Sequence, residues 1–502
     1  MTTARGRAVM TTVSPRLPAG PDDGLDGATI EVTVGPVAHG GHCVARLPAS
    51  ADPRADGSTP RTGQGRVVFV RHALPGERVR AVVTEEHTAY LRADAIEVLE
   101  ASPRRVTPPC PWAGGHLRGA SPTASGGTRA CGGCDLQHAD LAYQRELKSA
   151  VLREQLLRIG GLDESTVDGL RPVVEPLPPV PGEPDGQGWR TRVQYTVDST
   201  GRAGLLAHRS HEVVPVDRCL IAHAAIRETD VLRRPWPEHD SIEVIAGADG
   251  AATVLARRGG GPVSLVSGPA TVTERAVGRQ WHLPPTAFWQ VHPWAADTLA
   301  AAVVDLLAPR SGERIWDLYG GVGLFAAALA DAGGRVVTPA VDDGSADPIG
   351  VDDRFDDRRE PVRVSDRSGP PGSITVVDAD PAAVTAAREN LRDLAAVTLV
   401  RSDVARALGR SGRSRGETPA VPAGPVDLVV LDPPRSGAGP QVVAGVAERG
   451  PRAVAYVACD PAALARDVRT LRAYGYKLVA LRAYDLFPHT HHMEAVALLT
   501  PA

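Results

Sequence analysis

The 502-residue sequence predicts three parts in chain order: a small N-terminal β-barrel of the OB type, a small central α+β domain that carries cysteines, and a C-terminal α/β domain with a Rossmann-like sheet. Three observations predict them. Five short β-rich runs fill residues 28–98 with no long helical pattern between them. From residue 276 onward, strand patterns alternate with helix patterns, as parallel βαβ units require. Between the two lie a Cys-x-x-Cys pair, a long helix and alternating strands that belong to neither.

The balance of 55 basic and 59 acidic residues, net −4, excludes a globally basic nucleic-acid binder, so any such surface must be local. No apolar run is long enough to span a membrane. Residues 1–27 are rich in Gly, Pro and Thr and read as a disordered tail on a cytoplasmic protein. Six cysteines in so long a chain do not make a disulfide scaffold.

The barrel strands are TIEVTVGPV, HCVARL, RVVFVRH, ERVRAVVTEEH and YLRADAIEVLE, with a polar insertion at 49–65. Cys43 falls inside a strand and reads as core. The central part spans 99–275. Its helix, from about Ala139 to Ile159, stops at Gly160-Gly161. Cys131-x-x-Cys134 before that helix admits a redox pair, half of a zinc site, or an iron–sulfur site, with Cys110 and Cys219 as the remaining thiols in the last two. Residues 165–186, rich in Pro and acids, read as a linker. Arg190, Arg192, Arg202 and Arg209 form a basic cluster, most simply a solvated face.

In the C-terminal part, 276–502, Phe288, Trp289 and Gln290 stand at a helix entrance, and an exposed ring there suits base stacking. RIWDLYGGVGLF is a strand and a Gly-rich turn. Its Asp317, Gly321 and Gly323 let a backbone approach a nucleoside cofactor closely. Later strands end at Asp378, Asp403 and Asp432, and 338–372 reads as a disordered insertion. Val454 to Asp467 is a buried strand, a tight turn and a helix, placing Cys459 at a strand's carboxyl end. A lone cysteine after an apolar run is usually core. Four aspartates and a thiol at five strand ends say more: a nucleoside pocket beside a nucleophile. His489, His491 and His492 lack partners at ligand spacing and read as structural.

These motifs resemble the S-adenosylmethionine-dependent RNA uracil-5 methyltransferase family. The resemblance rests on FWQVH, DLYGGVGLF, LDPPRSG, YVACDPAALARD and FPHTHHMEAV, and upstream on CGGCDLQH and a barrel like a TRAM domain. It implies a class I methyltransferase domain in which Cys459 adds to C6 of a uracil and Glu494 removes the C5 proton. It implies that Gln290, Tyr319 and Asp378 bind S-adenosyl-L-methionine with Asp317, Gly321, Gly323 and Asp403, that Asp432 sits against base and cofactor, and that Phe288 stacks in the RNA site. Cys110, Cys131, Cys134 and Cys219 match the family's [4Fe-4S] ligands. The implied partner is RNA, ribosomal before transfer RNA, and the expected state is a monomer.

Two departures stand out. Asp460 occupies the family's Asn position after the nucleophile, and the gap between Cys110 and Cys131 is longer than the family's. The rival readings are a cytosine-5 RNA methyltransferase, disfavoured by Pro433-Pro434 where those enzymes carry a cysteine, and an inactive RNA-binding relative, disfavoured by the intact Cys459 and Glu494.

Overall fold

The computed structural model describes residues 25–48, 64–114, 130–332, 371–409, 421–422 and 424–502. Residues 1–24 of the expected tail, most of the insertions at 49–65 and 338–372, and residues 115–129 and 410–420 lie outside the described residues.

The barrel strands are β1 (Thr29–Thr33), β2 (Cys43–Pro48), β3 (Gln64–Arg71), β4 (Arg78–Glu86) and β5 (Tyr90–Glu100). They pair in the order β1-β4-β5-β3-β2, with β3 and β5 parallel. Gly35 N–H donates to Val44 O at 2.7 Å and Val44 N–H to Pro36 O at 3.0 Å, which joins the ends and closes the barrel. Alternate residues of β1, β4 and β5 point inward, the period-2 pattern that fixes register. Leu25, from the segment expected to be tail, is fully buried in that core. Cys43 is core as expected. Burial pushes its thiol up to about 12, and Sγ donates to Ala73 O at 3.2 Å.

Next come α1 (Leu141–Arg158), α2 (Glu164–Leu170) and β6 (Val174–Pro176). The expected linker is therefore largely ordered. Asp163 accepts the Thr166 N–H at 2.9 Å and caps α2, whose Val167 is fully buried. Local capping and one apolar anchor outweigh the polar composition. A second sheet follows, formed by β7 (Arg192–Val197), β8 (Ala203–Leu206), β9 (Val213–Val214), β10 (Ser241–Ala246), β11 (Ala252–Arg257) and β12 (Val263–Ser267), with the short α3 (Ala224–Arg227) packed on it. It is antiparallel, in the order β12-β11-β10-β7-β8-β9. A hairpin, β13 (Val272–Ala276) and β14 (Arg279–Leu283), leads to α4 (Ala295–Leu307).

The C-terminal elements are β15 (Arg314–Leu318), α5 (Leu324–Asp331), β16 (Ser373–Asp378), α6 (Pro381–Asn390), β17 (Val397–Arg401), α7 (Val404–Ala407), β18 (Leu428–Leu431), α8 (Gly439–Ala447), β19 (Ala453–Ala458), α9 (Pro461–Ala473), β20 (Tyr476–Asp485) and β21 (Glu494–Pro501). They form one sheet with β6, in the order β17-β16-β15-β18-β19-β21-β20-β6. The first five strands are parallel and β21 is antiparallel to both neighbours. Strand order reverses between β15 and β18, so the crevice beyond their carboxyl ends is the expected ligand position. All six residues of β19 are buried. Val454, Tyr456 and Ala458 face one apolar layer and Ala453, Ala455 and Val457 the other. A strand covered on both faces reads as a continuous apolar run for this reason. Among the described residues, no helix is long and apolar enough to cross a membrane.

Helix α1 packs on this sheet beside α9 and brings a buried ion pair. Lys148 Nζ lies 2.5 Å from Asp485 Oδ1 and 3.1 Å from Phe487 O. Gln144 Oε1 accepts the His489 N–H at 2.7 Å. Together they clamp the loop between β20 and β21. Burial pushes the Lys148 ammonium down and Asp485 opposes that. Lys148→Met leaves a buried, uncompensated carboxylate and is expected to cost about 3–5 kcal/mol. Lys148→Met/Asp485→Leu is expected to recover most of the loss, read as the guanidinium midpoint of the α/β unit.

Candidate active site

The register between β19 and β21 builds the site. Ala458 pairs with Ala495 antiparallel, so the next residue along β19, Cys459, lies opposite the residue that begins β21, Glu494. On the other side, Leu431 pairs with Tyr456 in parallel, which sets Asp432 at the adjoining strand end. The three side chains interact electrostatically with one another, and Arg435 acts on Cys459 and Glu494. Cys459 is half-buried and Glu494 buried. Burial, then Glu494, push the thiol up to about 12, while Arg435 pulls it down. Burial and Asp432 likewise hold the Glu494 carboxyl well above its ordinary range. Asp432 is raised to about 7 by burial, then by Asp317 and Asp378.

Beside this cluster, β15 ends in the Gly-rich turn. Asp317 is fully buried; its Oδ2 accepts the Ala326 N–H at 3.0 Å, while Oδ1 has no partner. Burial raises it to about 7. Tyr319 takes φ +63° and Gly321 φ +54°. A Cβ on Gly321 would meet nothing, whereas one on Gly323 would collide with Leu391. The turn therefore presents bare backbone to open space at one glycine and packs tightly at the other. Asp378 Oδ2 accepts the Gly321 N–H at 2.9 Å, tying the turn to β16. Asp403 caps α7 through the Arg406 N–H at 3.0 Å and is exposed. An unpartnered buried carboxylate oxygen and an open glycine backbone fit a polar nucleoside ligand.

Gln290 is buried in the loop before α4, while Phe288 is 65% exposed, the most exposed large apolar side chain among the described residues. Trp289 packs against Trp281 with centroids 5.4 Å apart. The basic cluster does not form one surface. Arg192 donates to Pro285 O and Ala287 O at 2.7 and 2.8 Å and holds this loop, Arg190 borders the cysteines, and Arg202 is exposed.

Cys110, Cys131, Cys134 and Cys219 line one cavity of about 60 Å³. Burial pushes Cys131 up to about 12 and raises Cys134 and Cys219 as well. Gly133 N–H donates to Cys131 Sγ at 3.3 Å. Among the described residues, no three His, Cys, Asp or Glu side chains stand close enough together to hold a metal ion. The donor chemistry fits a thiolate-bound group.

One supporting residue escaped the sequence reading. Asp467 on α9 accepts from Tyr456 Oη at 2.5 Å and from the Ala438 N–H at 2.7 Å, and so fixes the Asp432–Gly439 loop. The available signal was a carboxylate among apolar positions Leu464, Val468 and Leu471 of one helix face.

Comparison with known proteins gives a consistent picture. The TRAM domain family matches residues 25–96, and the tRNA (Uracil-5-)-methyltransferase family matches residues 423–501. An uncharacterized RNA methyltransferase of Streptomyces avermitilis is 42% identical, covering 95% of this chain and 99% of that protein. A 23S rRNA (uracil(1939)-C(5))-methyltransferase of Shewanella sp. is 29% identical, covering 87% and 91%. The structure of Pyrococcus abyssi tRNA (uracil-54, C5)-methyltransferase in complex with S-adenosyl-L-homocysteine has the same fold. It superposes with TM-score 0.55 at 21% identity, covering 86% of this chain and 95% of that one.

Asp317 gives a testable pH dependence. Its folded value of about 7 lies above its ordinary value, so its stabilising contribution is complete below about pH 4 and is lost as pH rises through 7. Cofactor-free protein is expected to lose on the order of 1 kcal/mol per pH unit over that interval through this group. Urea midpoints measured from pH 4 to pH 8 should fall less steeply for Asp317→Asn.

Proposed function

This chain belongs to the RNA uracil-5-methyltransferase family, and we propose that it methylates C5 of one uridine in 23S ribosomal RNA through a covalent Cys459 adduct. The observation that carries the reading is the juxtaposition of Cys459 and Glu494 across β19 and β21, with Asp432 at the next strand end. S-adenosyl-L-methionine supplies the methyl group. Its binding is assigned to Gln290, Asp317, Tyr319, Gly321, Gly323, Asp378 and Asp403, with Asp432 between cofactor and base and Phe288 stacking on the RNA. The target uracil leaves its stack to reach the thiol.

Cys459 bonds to C6 as a thiolate, and the displaced electron pair makes C5 nucleophilic. C5 then takes the methyl group, Glu494 removes the C5 proton, and the returning pair breaks the C6–sulfur bond. Burial favours the protonated form of both groups in the free protein. Arg435, which favours the charged form of each, is placed to help them ionise as the site fills. Their reactive forms grow with pH, so the rate of methyl transfer should climb between pH 6 and pH 9.

Mass spectrometry of nucleosides from ribosomal and transfer RNA tests the reading. Cells expressing the wild-type chain should gain 5-methyluridine at one mapped site, and Cys459→Ala should abolish it. Glu494→Gln should slow turnover by about 10²-fold or more and accumulate the RNA–protein adduct, visible as a shifted band on a denaturing gel. A change in 5-methylcytidine instead would overturn the uracil assignment.

The four thiols at Cys110, Cys131, Cys134 and Cys219 are assigned to a structural [4Fe-4S] cluster, supported by the cavity wall they share. Anaerobically purified protein should contain iron and sulfide in equal amounts, and Cys134→Ser should lose both. Full activity in a preparation lacking both would overturn the assignment.

A further inference from the structure

The loop between β1 and β2 carries the barrel to the catalytic turn. His39 Nε2 lies 2.9 Å from Asp460 Oδ2, joining residues 421 apart in the chain. Asp460 directly follows Cys459, and its Oδ1 accepts the Ala463 N–H at 2.7 Å as the cap of α9. A carboxylate can only accept, so Nε2 carries the proton and donates. Two residues beyond His39, Gly41 takes φ +77°, and a Cβ there would stand 3.0 Å from His491 Cβ and 3.4 Å from Asp135 Cβ. The His39 and His491 rings meet edge to face at 6.5 Å. His491 Nδ1 lies 2.6 Å from Asp135 Oδ2, and His492 Nε2 lies 3.5 Å from Arg435. One barrel loop thus touches both the turn that carries Cys459 and the segment that leads into Glu494.

We propose that His39 is a positioning residue for the reaction, holding the Cys459–Asp460 turn through Asp460 and making the barrel part of the active site. The inference deepens the methyl-transfer reading and rests on it. Asp460 is a carboxylate beside the nucleophile and opposes its ionisation. The N–H of His39 donates to that carboxylate and offsets part of its charge. The groups facing Cys459 are Glu494, Arg435, Asp432 and Asp460, and those facing Asp460 are His39 and Arg466. The His39–Asp460 pair is part-exposed, with side chains 41% and 22% accessible. Such pairs add little to stability, so its loss is expected to spare the fold.

Full-length wild type, His39→Ala, Asp460→Asn and the double variant separate the roles. Asn keeps the helix cap and removes the charge. The first readout is the rate of Cys459 alkylation by iodoacetamide at pH 8, followed by peptide mass spectrometry, which needs no RNA. The second is kcat and KM for methylation of ribosomal RNA from cells lacking the enzyme. His39→Ala is expected to slow alkylation and kcat each by about fivefold to tenfold, with KM within about twofold. Adding Asp460→Asn to His39→Ala is expected to restore both. Unchanged alkylation and kcat in His39→Ala, a change confined to KM, or failure of Asp460→Asn to rescue would overturn the proposal. If wild type forms no 5-methyluridine while alkylation follows the expected pattern, methyl transfer falls and the positioning of the thiol by His39 stands.

Discussion

The antiparallel insertion of β21 between β19 and β20 is the constraint on which the site depends. In a wholly parallel sheet, carboxyl ends alone would line the crevice, and each strand would contribute the residue that follows it. Reversing one strand brings an amino end to the same edge. Glu494, which begins β21, therefore lies opposite Cys459, which follows β19. A one-residue slip would turn one of the two away from the other. Burial on both faces of β19 makes that slip costly, because every residue of the strand is packed.

The second constraint is desolvation. Asp317, Asp432, Glu494 and Cys459 crowd the mouth of one sheet, and burial raises all four. Burial thus favours the neutral form of each, which limits mutual repulsion. Arg435 opposes the trend at Cys459 and Glu494. The loop that carries it is fixed from behind by Asp467 and Tyr456, so the cation is presented by a rigid support.

Local patterns in the sequence revealed much of this. The two-sided apolar run before Cys459, the Gly-rich turn after Asp317 and the alternation in the barrel strands each follow from a single element's surroundings. The linker reading at 165–186 failed because composition misses a helix held by one capping carboxylate, Asp163, and one buried side chain, Val167. The basic cluster dissolved for a related reason: Arg192 spends its donors on two backbone carbonyls of a distant loop. His39 with Asp460, Lys148 with Asp485 and Asp135 with His491 are each separated by more than 300 residues. No periodicity reports such contacts.

Strand order also dictates how the protein acquires its shape. β20 precedes β21 in the chain but lies outside it in the sheet, paired on its far side with β6 from near residue 175. Until β21 fills the slot, β20 has no bonded neighbour toward β19, and the edge of β19 stays open. A nascent chain that has already made its thiol strand must therefore wait for the last strand before the sheet can knit together. The pairing of β20 with β6, which joins Ala483 to Val174 across most of the chain, is of the long-range kind that forms slowly, and the half-finished sheet exposes an apolar edge of the kind that chaperones guard.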